Sequence, residues 1–230
     1  MGFIMIVKID QIKIFVMHYK KLTNRKCNLT KMLCDIGLNA EWIEVFDAEE
    51  LTQNDISHYY KNSNEVWNEK VHWVCNSPFR KIKMSELSLS IKHILAYEKI
   101  IKENYDIALI LEDDIVFESN FKLLFDSYFI NTPDDLDFAF IGNGCGLKIE
   151  ELKDKQHLYI KDNPATKCTD SYLITNSAAK KIMSDLIPIT VPIDFELNFS
   201  IKKHRLKTYW LEPPLISQGS QTGLYRSAIQ

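Results

Sequence analysis

The sequence predicts a single α/β domain in which helices flank a central sheet. Short apolar runs of strand length alternate with helical patterns along most of the chain. The first strand, helix and second strand form a βαβ unit, the usual opening of a nucleotide-binding domain. The 230 residues suit one large domain with a substantial core. Two segments stand apart from it: an aromatic-rich insertion at about 51–83 and a flexible tail at about 212–230.

Ile12 to Met17 reads as the first buried strand. Thr23 is expected to cap the next helix, in which Leu29, Met32, Leu33 and Ile36 share a face before Gly37 ends the last turn. Glu41 to Phe46 gives the second strand. No Gly-x-Gly-x-x-Gly follows the first strand, which argues against a dinucleotide site. In the insertion, Tyr59, Tyr60, Trp67, Trp73 and Phe79 lie among Asn, Lys and His without clear periodicity. These rings form either a satellite core or a surface that stacks on a sugar or peptide acceptor. Ser85 is expected to cap a helix running to about Asn104, with Leu87, Ile91, Ile94, Leu95 and Ile101 as its apolar stripe. Glu86, Ser90, His93 and Tyr97 share another face, where His93 reads first as a hydrogen-bonded histidine beneath the sheet.

The next stretch carries the chemistry. Ile107 to Leu111 is a fully apolar strand, and Glu112, Asp113 and Asp114 follow it at once. Three adjacent carboxylates repel one another unless they are well solvated or share a cation. Ile110-Leu111 and Ile115-Val116-Phe117 wall them in, which favours a metal-and-phosphate site over a solvated strand end. A short helix (Phe121 to Tyr128) and a strand (Phe138 to Ile141) come next. Gly142-Asn-Gly-Cys-Gly146 then gives either a sharp turn or a close approach of backbone to a ligand. Ser171 to Ile174 reads as a strand, followed by a helix through Ala178, Ile182 and Leu186. Pro192-Ile-Asp194-Phe-Glu196 opens another helix, and Thr208 to Leu211 is the last strand. The polar tail is either a frayed end or a flap over phosphates.

Composition narrows the class. A formal charge of −3 gives no electrostatic reason to expect a nucleic-acid partner. The five cysteines are odd in number and lack metal-type spacing, so reduced thiols are expected. Met1 to Val7 is too short for a signal h-region or a membrane span. Asn28-Leu-Thr and Asn198-Phe-Ser match glycosylation acceptors by chance on this reading, and a cytoplasmic enzyme is expected.

Several of these blocks, in order, resemble glycosyltransferase family 25, the lipooligosaccharide and collagen galactosyltransferase type. They are Val16-Met-His-Tyr-Lys-Lys-Leu-Thr-Asn-Arg25, Glu86-Leu-Ser-Leu-Ser-Ile-Lys-His93, Leu111-Glu-Asp-Asp-Ile115, Thr169-Asp-Ser-Tyr-Leu-Ile174 and Val191-Pro-Ile-Asp194. Ser88 and Lys92 depart from the family's usual pattern. The resemblance implies a GT-A-like domain with a mixed sheet. It implies inverting transfer of a hexose, galactose or glucose, from a UDP-sugar to a glycan or protein hydroxyl, as in lipopolysaccharide biosynthesis. Glu112 and Asp114 would then bind Mn²⁺ (or Mg²⁺), and Asp113 would accept a ribose hydrogen bond. Arg25 would belong to the nucleotide pocket, and Gln218, Ser220 and Arg226 to a closing tail. Asp194 is the first choice for the base and Glu196 the second, with a helix N-cap as the plain alternative for Asp194. A metal-dependent phosphohydrolase and a sugar-nucleotide-binding protein without catalysis are the competing classes.

Overall fold

The computed structural model describes residues 6–161 and 166–226. In chain order the elements are β1 (Lys13–Met17), α1 (Thr23–Asp35), β2 (Glu41–Ile43), α2 (Gln53–Tyr59), α3 (Asn64–Val71), α4 (Met84–Lys102), β3 (Ile107–Glu112), β4 (Ile115–Phe117) and α5 (Phe121–Tyr128). They continue with β5 (Phe138–Phe140), β6 (Leu158–Ile160), β7 (Ser171–Thr175), α6 (Asn176–Met183), α7 (Ile193–His204), β8 (Thr208–Leu211), β9 (Ile216–Gln218) and α8 (Gly219–Thr222). Seven strands form one mixed sheet in the order β2-β1-β3-β7-β5-β8-β6, while β4 and β9 pair separately.

Strand periodicity divides the core into two layers. Phe15 and Met17 of β1, Ala108 and Ile110 of β3, and Tyr172 and Ile174 of β7 face α4, α6 and α7. Their alternates Ile14, Val16, Leu109, Leu111 and Leu173 face α1 and α5. A two-residue side-chain period forces this alternation, so a strand covered on both faces must be apolar throughout. Each fully buried Leu or Ile contributes about 1.5–3 kcal/mol on transfer from water.

Local expectations meet the structure with some corrections. Thr23 is the first residue of α1 rather than its cap; Leu22 holds the cap position without a side-chain hydrogen bond. Ser85 likewise lies inside α4, which Lys83 precedes, and the Glu86 carboxylate accepts from the Lys83 backbone N–H at 2.8 Å. β2 ends at Ile43, and Phe46 turns away with φ at 60°. The insertion folds as α2 and α3, each capped by a hydroxyl, Thr52 and Ser63. Trp67 is 1% exposed and packs with Val71, Val191, Phe195 and Phe79. The satellite-core reading therefore holds for that ring. His93 is the expected buried histidine: its Nδ1 lies 2.8 Å from the Tyr172 hydroxyl, and burial drives its pKa down to about 3. No helix among the described residues is long and apolar enough to cross a membrane.

Candidate active site

Topology gathers the acids. β1 and β3 are parallel, so Met17 and Glu112 end side by side. β7 runs antiparallel to β3 with Leu111 opposite Ser171, which brings the residues preceding β7 to the same edge. The Glu112 N–H accordingly donates to the Asp170 carbonyl at 2.8 Å. β5 also ends at this edge, followed by Gly142, because it too is antiparallel to β7. Ligands in open α/β sheets bind at such strand ends.

The three acids after β3 have different environments. Asp113 is 7% exposed; His18 Nδ1 and Arg25 Nη1 each donate to it at 2.7 Å. Burial pushes its carboxyl up, but those two donors outweigh burial and hold it below the ordinary aspartate range. Glu112 is half-buried, and its Oε1 accepts from the Thr169 hydroxyl at 2.7 Å. Burial first, then the charges of Asp114, Asp194 and Asp170, raise it well above the carboxylate range. Asp114 is 4% exposed, and its Oδ1 has no hydrogen-bond partner. Arg25 Nη1 lies 3.9 Å from its other oxygen.

Asp194, the second residue of α7, reaches the same cluster. Pro192 occupies the cap position, so the cap reading of Asp194 does not hold. Its Oδ1 lies 3.0 Å from the Thr169 hydroxyl, and burial followed by the Glu86 charge raises its pKa. A hydroxyl has one hydrogen to donate, so Thr169 bonds both Glu112 and Asp194 only when one acid carries a proton. Glu196 lies elsewhere on α7. Its Oε1 accepts from the backbone of Thr190 and Val191 and from the Thr190 hydroxyl, and Lys70 sits 2.6 Å from Oε2. Both oxygens are thus committed to holding the chain before α7 against α3.

A cavity of about 170 Å³ opens beside the acids. Glu112, Asp113, Asp114, Gln218 and Ser220 line it together with His18, Tyr19, Arg25, Leu89 and Lys92. Lys92 is itself buried in an ion pair with Asp47. The chain reaches the pocket again through β9, which pairs with β4, and the Gly219 N–H then donates to the Asp114 carbonyl at 2.6 Å. Beyond it, Arg25 stacks under the Tyr225 ring at 5.1 Å and donates to the Arg226 carbonyl. Arg226 therefore meets Arg25 through its backbone, while its side chain is exposed.

Sequence reasoning missed the roles of His18, Thr169 and Asp170. Asp170 is fully buried; its Oδ1 accepts from Ser171 N at 2.9 Å, and Oδ2 has no hydrogen-bond partner. A Cβ on Gly142 would lie 2.3 Å from that Oδ2, so only glycine fits there. The signal was present: Asp170 precedes an apolar strand as Glu112 ends one. Burial, then the Asp114 and Asp194 charges, raise Asp170 well above its ordinary pKa. Its ionisation therefore costs nothing below about pH 3.9 and costs more as pH rises toward its folded-state value. Asp170→Asn should raise the melting temperature in chelator more at pH 8 than at pH 4; an equal shift at both would contradict the burial of charge.

A sheet edge that collects carboxylates beside a pocket is where an open α/β sheet places its ligand site. The model of glycosyltransferase family 25, described as LPS biosynthesis protein, matches residues 11–197. The chain belongs to that family and is a glycosyltransferase. Two solved structures are similar to it. One is a glycosyltransferase involved in the glycosylation of the major capsid of PBCV-1, at 14% identity over 90% of this chain and 91% of that one, with a TM-score of 0.44. The other is A197 from STIV, at 11% identity over 89% and 83%, with a TM-score of 0.41. No curated protein matches the chain.

Proposed function

We propose that this glycosyltransferase moves a hexose, galactose or glucose, from a UDP-sugar to a hydroxyl of a glycan or protein, with inversion and with a divalent cation. The observation that supports this most is the meeting of Glu112, Asp114, Asp170 and Asp194 beside the pocket that His18, Tyr19 and Arg25 line.

Among the described residues no three His, Cys, Asp or Glu side chains are arranged to hold a metal by themselves. Two buried carboxylate oxygens in the cluster, on Asp114 and Asp170, nonetheless lack partners, and hard oxygen donors suit Mn²⁺ or Mg²⁺. Glu112 and Asp114 would hold the ion and the donor's diphosphate would complete its shell, since such sites commonly combine one or two carboxylates with phosphates. The bound ion supplies Lewis acidity toward the leaving diphosphate.

The other roles fall to the chain's own groups. Asp113 already accepts two hydrogen bonds, but a carboxylate has about four acceptor positions, which leaves room for a ribose hydroxyl. Arg25 fixes Asp113 and adds positive charge beside the diphosphate. The acceptor oxygen attacks the anomeric carbon from the face opposite UDP. The bond from that carbon to the phosphate oxygen breaks with its electron pair leaving on UDP, and Asp194 takes the acceptor's proton. A raised carboxyl pKa makes Asp194 a better base than an exposed aspartate. Five unpaired cysteines accord with a cytoplasmic setting.

UDP release measured across a panel of UDP-sugars, with and without glycan acceptors, tests the proposal. Transfer requires release that depends on acceptor; release that ignores acceptor with every donor overturns it. Gln218, Ser220 and the following residues to Arg226 are proposed to close over the diphosphate. Amide exchange across 219–226 should slow when UDP and Mn²⁺ are added together, and unchanged exchange would make this segment a passive terminus.

A further inference from the structure

We propose that Lys92 is a positioning residue for the sugar donor: its buried ion pair with Asp47 sets the spacing between α4 and two loops that complete the pocket. This rests on the donor's nucleotide lying beside Arg25 and Asp113, as proposed above. Ser85, Ser88, Leu89 and Lys92 recur at helical spacing on α4, and all four line the cavity. Tyr19, from the loop after β1, and Glu49, from the loop after β2, line it too. β1 ends at Met17 and β2 at Ile43, so both loops have left the sheet before they reach the pocket. Their placement depends on what fastens them.

Asp47 is that fastening, and it is 1% exposed. Its Oδ2 accepts from the Lys20 N–H at 3.3 Å, which joins one loop to the other. Its own N–H donates to Glu50 Oε2 at 3.2 Å, and its carbonyl accepts from the Glu50 N–H at 2.7 Å. The Tyr19 hydroxyl donates to Glu49 Oε1 at 3.1 Å as a second link. Phe46, just before Asp47, has a φ of 60°, a left-handed conformation that persists only where surrounding contacts impose it. Lys92 Nζ, on a residue 3% exposed, donates to Asp47 Oδ1. Lys20 Nζ lies 3.9 Å from the other oxygen but is 44% exposed, so water screens it. Lys92 therefore supplies the buried counter-charge and ties α4 to both loops.

A buried ion pair can also be plain charge compensation, and the two roles respond differently to substitution. Removing one partner leaves a bare buried charge, whereas neutralising both is often harmless to stability. Lys92→Met should lower the melting temperature. Combining it with Asp47→Asn removes both charges and should recover most of that loss, because the amide oxygen still accepts from Lys20. The tie is nonetheless gone. The double variant should bind UDP about tenfold more weakly, the scale of re-ordering one or two loop side chains on binding. KM for the donor should rise in step while kcat changes far less, because the pair acts on binding and not on proton transfer.

The test combines thermal melting, calorimetric titration of UDP with Mn²⁺, donor kinetics and amide exchange on the unaltered chain and the variants. Exchange across 19–22 and 47–50 should be faster in the double variant without ligand. Unchanged UDP affinity and unchanged loop exchange, with melting recovered, would make the pair structural and overturn the proposal. Should the double variant not melt cooperatively, Lys92→Arg takes its place. It keeps the charge but alters the reach of the tie, so unchanged UDP affinity and KM there overturn the proposal equally. Exchange needs no ligand. Absence of UDP binding in the unaltered chain would therefore sink the donor reading, while loop exchange still decides the tie.

Discussion

Asp194→Asn is expected to lower transfer by roughly 10²–10⁴-fold while UDP binding stays near that of the unaltered chain and melting is not lowered, since loss of the Asp194 charge relieves repulsion on Glu112 and Asp170. The amide keeps the shape and an oxygen that accepts from Thr169, but it does not take a proton at neutral pH. Stability should hold because Pro192, not Asp194, occupies the cap position of α7. Asp194→Ala should cost little more than its interaction with the helix dipole, about 0.3–1 kcal/mol. Glu196→Gln forms the contrast. Glu196 holds Thr190, Val191 and Lys70, so loss of its charge weakens the seam between α3 and α7 before it touches the chemistry. Transfer kinetics and thermal melting on the three variants decide the matter. Near-normal transfer by Asp194→Asn would remove Asp194 from the base role.

Much of this was legible in the sequence, for identifiable reasons. Ile107–Leu111 is apolar because both faces of β3 are covered, and a run of that kind ending in three acids is hard to misread. Phe121–Tyr128 and Thr208–Leu211 fall where periodicity put them. The strands β6 and β9 did not show, since three residues carry too little pattern and their pairing is made far along the chain. The helices α2 and α3 were hidden for a different reason. α2 buries none of its residues and α3 only Trp67 and Val71, so neither has a broad apolar face. Cap propensity misled at Thr23 and Ser85, where tertiary packing set the helix start one or two residues earlier than a capping hydroxyl would. Thr169 and Asp170 lie 57 residues from Glu112 and Asp113, and only the antiparallel register of β3 with β7 joins them.

Asp114→Asn is expected to separate stability from function. The Asp114 charge helps to raise Glu112 and Asp170, so in chelator its loss relieves repulsion and should raise the melting temperature. If Glu112 and Asp114 hold the cation, the same change should weaken UDP binding in Mn²⁺ by about tenfold or more, which corresponds to about 1.4 kcal/mol. Transfer should fall further, by about 10³-fold, because Lewis-acid stabilisation of the leaving diphosphate is worth several kcal/mol. Chelation of the unaltered chain should reproduce both losses, and chelation of the variant should add little. Two perturbations that remove one interaction do not sum, whereas independent ones do. Calorimetric titration of UDP into both proteins, with Mn²⁺ and then with chelator, gives all four affinities. Equal affinities across the four would leave the acids without a cation to bind and the proposed metal dependence without support. Additive losses would place the cation away from Asp114, and the search would move to Glu112 and Asp170.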